Sequence, residues 1–374
     1  MRRFALKLFA ALLSLMTCAA LPGAARAAAW STTDLKTNAQ LPAGIVVING
    51  VTVAWQVGNY MSGNLRIFGL LCSPTSLSGP HPVAILNHGL ATVFIGIVPV
   101  FPAIEKSGWT GCTSMAAAGW FTAISTYRGE IIGSAVGGGL PAPYQNWWGL
   151  SDGALELCLG EVDDVLALLA AVKTLPNADP SHIMMWGHSH GSCITERAIE
   201  RGAQVQIAVS LDGPTDFTTW SNNNPILAPT PAAQQARSSA YPGNDPAKLA
   251  TLQFLRIHAE GDTTVTPNQG CELVAKLPTS ANYFLNSNVS PPGVFYGQPK
   301  ECAAFPLTWK KGQLLPDETA HESWVSPTFL MYSGLSHTAI LLKSWPEFWS
   351  FVNQTAKGQN WGASIPNAFT PLEN

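Results

Sequence analysis

Residues 45–90 carry three apolar runs, GIVVINGVTVAW, LRIFGLLC and HPVAILNHGL. Turn material separates them (Gly58-Asn59, Ser62-Gly63-Asn64, Ser78-Gly79-Pro80), which predicts consecutive antiparallel strands. After Gly89 the pattern changes to helix alternating with strand. A helical stretch near Pro102–Gly119 leads to the β-branched and aromatic strand WFTAISTYR (120–128). Ser151-Asp152 are then placed to cap a long helix. In it Leu155, Leu159, Val162, Leu166, Leu169 and Val172 recur at spacings of three and four and form one buried stripe. Pro176 to Pro180 end it. The strand HIMMWGHS, the helix HGSCITERAIERG and the strand VQIAVSLDG (205–213) follow. TLQFLRIHAEGD (251–262), a helix near Pro267–Leu277, the strand TFLMYSGLS (328–336) and a closing helix through Val352 complete the series. This alternation implies βαβ units and a mostly parallel sheet. Two stretches, 214–249 and 279–326, are rich in Pro, Ser, Asn and Gly and fit no βα unit. Long irregular loops of this kind often serve as lids or substrate walls. The glycine run Val136–Leu140 lacks the Lys-Ser/Thr of a phosphate loop and reads as surface loop.

The first 27 residues read as an address. Arg2, Arg3 and Lys7 form a basic end, an apolar run continues to Met16, and Ala25-Arg26-Ala27 is an A-x-A-like cleavage site. The uninterrupted run is shorter than the ~20 residues that span a bilayer, and Pro22-Gly23 break it. The alternative of lipoprotein processing at Cys18 is weakened by bulky Thr17. The expectation is a signal peptide (1–27) and one exported domain (28–374), secreted or periplasmic, without a stable membrane span. Hydrophobic residues at 47%, 13 Trp and only 11% charged residues exclude disorder as the main state. The formal charge of −3 becomes more negative once Arg2, Arg3, Lys7 and Arg26 are removed. An acidic chain without a Lys/Arg stripe is poorly suited to phosphate neutralisation, so nucleic acid is set aside as a partner.

Gly187-His188-Ser189-His190-Gly191 reads G-x-S-x-G between an apolar strand and an amphipathic helix. At such a corner glycines permit a sharp turn that lifts the serine hydroxyl from the sheet. The competing reading is an ordinary βα turn with a capping serine. A serine needs a base to take its proton and an acid to hold the base. Asp262 follows the strand LQFLRIHAEG and His337 follows TFLMYSGLS, giving the chain order Ser, Asp, His. His321, in ETAHESW, is the rival base, but no strand precedes it. His188 and His190 as H-x-H invite a metal reading, yet no further signature accompanies them and no cofactor is expected. His88 is expected to support a loop. Asp163 and Asp164 are adjacent on a helix and do not converge on one atom, so they read as a solvated or loop-binding face.

HAEGDTTVTP resembles the acid-loop pattern of α/β-hydrolases, H-G-x-x-D-x-x-V-P. GEVDDVLALLAAVKTLPNADPSHIMMWGHSHGS is similar to the prolyl oligopeptidase and dienelactone-hydrolase branch, as is the strand and turn WFTAISTYRG. The resemblance covers about residues 45–355. It implies an α/β-hydrolase fold with a mostly parallel eight-stranded sheet flanked by helices. It further implies Ser189 as nucleophile, Asp262 as orienting acid and His337 as base. Backbone N–H groups of Leu90 and His190 would form the oxyanion hole. Tyr127, Trp147, Trp148 and Trp220 are candidate substrate walls. Three departures stand out. The elbow continues Gly191-Ser192 where many relatives have two glycines. The 75 positions from Asp262 to His337 imply an insertion. The region before His88 is too short for the β-propeller that screens substrates in prolyl oligopeptidases, which moves the expected substrate from peptide to ester. The expected function is therefore an exported serine hydrolase, a carboxylesterase acting on a small or oligomeric ester. A peptidase for short or modified peptides, or a non-catalytic binding protein on a hydrolase scaffold, remain as alternatives.

The part after residue 27 keeps six cysteines, and an even count in an oxidising compartment favours disulfides over buried thiols. Fifteen pairings are possible. Cys158 and Cys193 lie near the starts of helices expected to be neighbours, and Cys271 and Cys302 share the Asp262 helix and the insertion after it. Cys72 and Cys112 remain, giving 72–112, 158–193 and 271–302. The aromatics Phe284, Phe295, Tyr296, Phe305, Trp309 and Trp324 are expected to make the 279–326 insertion a tethered wall of the substrate site; the alternative is that they simply bury it against the domain.

Overall fold

The computed structural model describes residues 29–90, 112–133, 147–220, 230–288, 293–295, 297–311, 324–358 and 361. The expected signal peptide, the Val136–Leu140 run, Tyr296 and His321 lie outside them. In chain order the strands begin β1 (Ala43–Ile48), β2 (Val51–Ser62), β3 (Leu65–Pro74) and β4 (His81–Asn87). Helix α1 (Cys112–Ala117), β5 (Phe121–Ser125), β6 (Ile131–Gly133), β7 (Trp148–Leu150) and α2 (Gly160–Val172) follow. Next come β8 (Ala178–His188), α3 (His190–Glu200), β9 (Ile207–Leu211), α4 (Pro231–Arg237) and β10 (Gln253–Ala259). The series closes with α5 (Asn268–Val274), β11 (Ala281–Asn286), β12 (Gly293–Val294), β13 (Thr328–Tyr332), α6 (Ala339–Lys343) and α7 (Trp345–Gly358).

Eleven of these strands form one sheet in the order β1-β2-β3-β5-β4-β8-β9-β10-β13-β11-β12. The expected eight-stranded, mostly parallel sheet is its middle, β2 to β13, in which β3 alone runs against its neighbours. Three additions widen it. The first apolar run is two strands, because Asn49-Gly50 takes positive φ (50° and 80°) and turns the chain between Ile48 and Val51. At the other edge β11 pairs in parallel with β13 and β12 folds back on β11.

Three expectations are corrected. The run HPVAILN is no hairpin partner of β3; β5 lies between them, and β4 pairs in parallel with β5 and β8. All seven β4 residues are buried, as a strand covered on both faces requires. The second helix starts at Gly160, not at Ser151-Asp152. Residues 151–159 are instead held as a loop, with Leu157 and Cys158 at positive φ and the Glu161 carboxylate accepting from the N–H groups of Glu156, Leu157 and Leu159. Asp152 binds Lys36 and the Arg66 N–H, and the Ser151 hydroxyl accepts from the Phe68 N–H. Lastly, 279–326 is not wholly irregular, since it opens with β11, and 214–249 contains α4.

Alternation along the central strands sorts side chains into two cores. Ala84 and Leu86 of β4 face the layer of α1, α6 and α7, with Met115, Ile340 and Phe351. Val83 and Ile85 face the layer of α2 and α3, with Val162, Leu168 and Ile194. A third cluster forms where Cys271 and Val274 of α5 meet Cys302, Phe329 and Met331, with Phe284, Phe305, Leu307 and Trp309 packed on it. Insertion aromatics are thus used to bury the insertion: Trp324 packs edge-on to Phe351, while Phe295 lies half exposed against Phe284. The cysteines pair as 72–112, 158–193 and 271–302, with Cα–Cα distances of 5.5, 5.8 and 5.4 Å, within the span a disulfide bridges. Among the described residues no helix is long and apolar enough to cross a membrane.

Candidate active site

Three parallel strands end at one place. Ser189 sits between β8 and α3, Asp262 three residues beyond β10, and His337 in the loop after β13. Carboxyl ends of strands in an open α/β sheet are where ligands bind. Ser189 is held at φ 56°, ψ −120°, a conformation that costs of order 1–3 kcal/mol and turns its side chain off the strand. The flanking glycines make the turn possible: a Cβ on Gly191 would overlap the Asn87 carbonyl, and one on Gly187 would overlap the Gly191 carbonyl. The Ser189 N–H is fixed by the Leu211 carbonyl at 2.8 Å.

His337 Nε2 lies 2.9 Å from Ser189 Oγ, and His337 Nδ1 lies 2.6 Å from Asp262 Oδ2. Nδ1–H donating to the carboxylate leaves the Nε2 lone pair facing the serine hydroxyl. Asp262 is further fixed by the N–H groups of Thr264 and Val265 on Oδ1 (2.8 and 2.9 Å). Burial works to raise the Asp262 carboxyl, but the His337 and Val265 hydrogen bonds and the nearby imidazoles outweigh it and hold it below its ordinary value. The structure therefore brings together the serine, histidine and acid singled out in the sequence.

Gly89 brings the β4 loop against the elbow, its position 3.5 Å from Ser189 Cβ as a Cβ would be placed. The N–H groups of Leu90, next along that loop, and of His190, first residue of α3, donate to no described residue. His88 supports this loop, with Nδ1 2.9 Å from the Gly89 carbonyl and Nε2 3.3 Å from the buried Glu130 carboxylate. Tyr127 is fully buried, stacked on His88 and edge-on to His190, so it underlies the loop and offers no open face. Trp147 packs edge-on against Phe68, whereas its neighbour Trp148 is 63% exposed on β7. Trp220 packs on Phe217 and donates to the Thr264 carbonyl at 3.0 Å, which places it on the acid loop.

The two histidines of the elbow have separate tasks. His188 Nε2–H donates to the His337 carbonyl at 3.0 Å, and burial, then the His337 charge, lower it to about 3, so it stays neutral. His190 Nε2 accepts from the Cys158 N–H at 3.3 Å, and burial with His88 nearby lowers it to about 3 as well. Asp164 grips Arg128 through backbone and guanidinium (2.8, 3.1 and 2.9 Å), while Asp163 pairs with Arg201 at the surface. The loop-binding expectation thus fits Asp164, and the solvated one Asp163.

Beneath the elbow lie residues that the sequence reading passed over. Arg256 of β10 is wholly buried and pairs with Glu196 of α3. It also reaches the hydroxyls of Ser192 (3.0 Å) and Ser210 (2.7 Å), the Gly213 carbonyl (2.6 Å) and His258 Nδ1 (3.1 Å). Ser192, the departure from two glycines, is thereby a tie between the nucleophile helix and the acid strand. His258 passes the tie on, its Nε2–H donating to the Val265 carbonyl at 2.9 Å. A lone Arg in the apolar run LQFLRIH was the available signal. Asp212, at the end of β9, was also missed, although an acid at a strand's carboxyl end is the same signal that marks Asp262. Donor atoms of His188, Asp212 and His337, and of Asp212, His258 and Asp262, lie within 4.8 Å of one another, the described groupings able to hold a metal ion. Both nitrogens of His258 and of His337 already make hydrogen bonds, so the arrangement is that of a protein-bonded acid–base cluster.

Residues 150–290, which carry the elbow and the acid loop, match the model of the Prolyl oligopeptidase family. The chain has the α/β-hydrolase fold. The sheet order, the parallel middle and the strand-end site agree with that match. Solved structures similar to the chain include the acylaminoacyl peptidase of Pyrococcus horikoshii (14% identity, 79% of this chain and 41% of that one, TM-score 0.45). The glucuronoyl esterase from Solibacter usitatus is 13% identical over 88% and 89% of the two chains, TM-score 0.49. An esterase of Pyrococcus furiosus is 11% identical over 82% and 93%, TM-score 0.47. The chain spans 32–44% of the length of similar peptidase structures. Peptidases and esterases both occur, so the likeness does not select a substrate. No curated protein sequence matches the chain.

Proposed function

We propose that the chain is an exported serine hydrolase, a carboxylesterase working through an acyl-enzyme on Ser189. The observation that carries this reading is the continuous chain Ser189 Oγ, His337 Nε2, His337 Nδ1, Asp262 Oδ2, with links of 2.9 and 2.6 Å. His337 takes the Ser189 proton as Oγ attacks the acyl carbon. The Leu90 and His190 N–H groups receive the oxyanion, and ionised Asp262 stabilises the imidazolium. His337 then protonates the departing alcohol, and water repeats the sequence to release the acid.

An acyl-enzyme forms equally from an amide, and the family match keeps a peptidase for short peptides as the second reading. Export is supported by the basic, apolar and A-x-A pattern of residues 1–27 and by three cysteine pairs at disulfide distance. Chromogenic esters assayed beside aminoacyl anilides, with Ser189→Ala as control, test the choice. Ester turnover that vanishes in the variant is expected; turnover of anilides alone would favour the peptidase.

A further inference from the structure

Asp212 stands beside the acid of the site without a task in the chemistry just described. It is wholly buried at φ 46°, its N–H bound to the Ile257 carbonyl and its Oδ1 accepting from the Ala259 N–H at 2.8 Å. Its Oδ2 is buried and has no hydrogen-bond partner among the described residues. Buried carboxylate oxygens are nearly always bonded, so this one calls for an explanation. The groups facing it are His188 from the elbow, His258 and Asp262 from β10 and its loop, His337 from the β13 loop, and Arg256 further along β10. One of its oxygens lies within 4.8 Å of donor atoms on His188 and His337.

We infer that Asp212 and Asp262 form a pair carrying a single negative charge, in which Asp212 is a reserve acid able to orient His337. The inference rests on His337 being the base of the proposed reaction. Two carboxyls this close do not both ionise. Asp262 holds the charge because three donors face it (His337 Nδ1 and the N–H groups of Thr264 and Val265) against one on Asp212. Burial, and next the Asp262 charge, push the Asp212 carboxyl well above its ordinary range, so it keeps its proton. Neutralising Asp262 removes the neighbouring charge, so that an imidazolium at His337 favours ionisation of Asp212 against the remaining effect of burial. The imidazolium formed at His337 then has a buried counter-charge within reach.

The test is the rate at which a fluorophosphonate labels Ser189, with kcat/KM on an ester, in Asp262→Asn, Asp212→Asn and the double variant of the full chain. Asn tolerates the positive φ of position 212 and can still accept from the Ala259 N–H, so folding should survive, as a thermal melt would confirm. Loss of the acid in the handed-down serine–histidine–acid arrangement costs about 10⁴-fold. Here Asp262→Asn should cost only about 10²-fold, with its activity rising at higher pH as Asp212 ionises, and the double variant should lose about 10²-fold more. An Asp262→Asn enzyme already as slow as the double, or losses that simply multiply, overturns the reserve acid. A wild type that takes no label at Ser189 overturns the reading of the site itself, and this inference with it.

Discussion

At the scale of single residues, what the sequence makes legible is what the chain keeps local. Gly187 to Gly191 are adjacent, and their tight turn is written in the residues that form it. Asp262 and His337 were readable because each ends a recognisable strand. Arg256 and Asp212 carried signals, a lone Arg in an apolar run and an acid at a strand's end, and Ser192 stood out in the elbow, but what they bond to emerges only when the sheet order sets β9 and β10 beside α3. Tyr127 went the other way: it was expected as a substrate wall, but the fold buries it against His88 and His190. Replacing His337 by Ala should abolish turnover while His321→Ala keeps most of it; steady-state kinetics on one ester would show the reverse if the base were His321. His258 offers a test through stability. Burial, then Arg256, lowers it to about 3, so the fold holds it neutral while the unfolded chain binds a proton below about pH 6.5. Its contribution is therefore present above that pH and declines as pH falls towards 3. The stability gap between wild type and His258→Gln should narrow by up to ~1.4 kcal/mol per pH unit across that window, measured by urea unfolding. A gap constant from pH 7 to 4 would contradict neutral burial.

At the scale of elements, most strands and helices were legible from periodicity, and the misplacements have specific causes. The stripe from Leu155 to Val172 continues the helical spacing upstream of Gly160, but positive φ at Leu157 and Cys158 and the bridge to Cys193 hold that part as a loop. β4 looked like a hairpin strand because turn material precedes it; only the insertion of β5 beside β3 makes it parallel. β11 was hidden in a stretch rich in turn formers. The Cys271–Cys302 bridge closes the loop that contains β11, and Phe284, Phe305 and Trp309 pack over it. Cys302→Ser should therefore lower stability, by up to ~3–4 kcal/mol in the chain-entropy model. Thermal melts and limited proteolysis should show a loosened 287–311 segment, while kcat and KM on a small ester stay within a few-fold. Large KM changes on esters of different acyl size, without loss of stability, would instead make the insertion a substrate wall.

At the scale of the whole molecule, a sheet that places β8, β10 and β13 in parallel, with β9 among them, delivers three distant residues to one edge. The order of Ser, Asp and His along the chain carried that information, and the edge additions β1, β11 and β12 did not alter it. The pairing of the six cysteines after residue 27 into 72–112, 158–193 and 271–302 ties α1 to β3, α3 to the loop before α2, and α5 to the insertion. Chain recovered from an expressing culture should begin after Ala27 and take up no thiol reagent until reduced. A retained N-terminus or reactive thiols, seen by intact-mass measurement, would contradict export through an oxidising compartment. The most direct test of the whole account is fluorophosphonate labelling with peptide mapping. The account predicts a single label on Ser189, blocked in Ser189→Ala together with a fall in kcat of order 10⁶-fold, as for loss of a serine nucleophile elsewhere. A label on another serine, or turnover that survives Ser189→Ala, would contradict it.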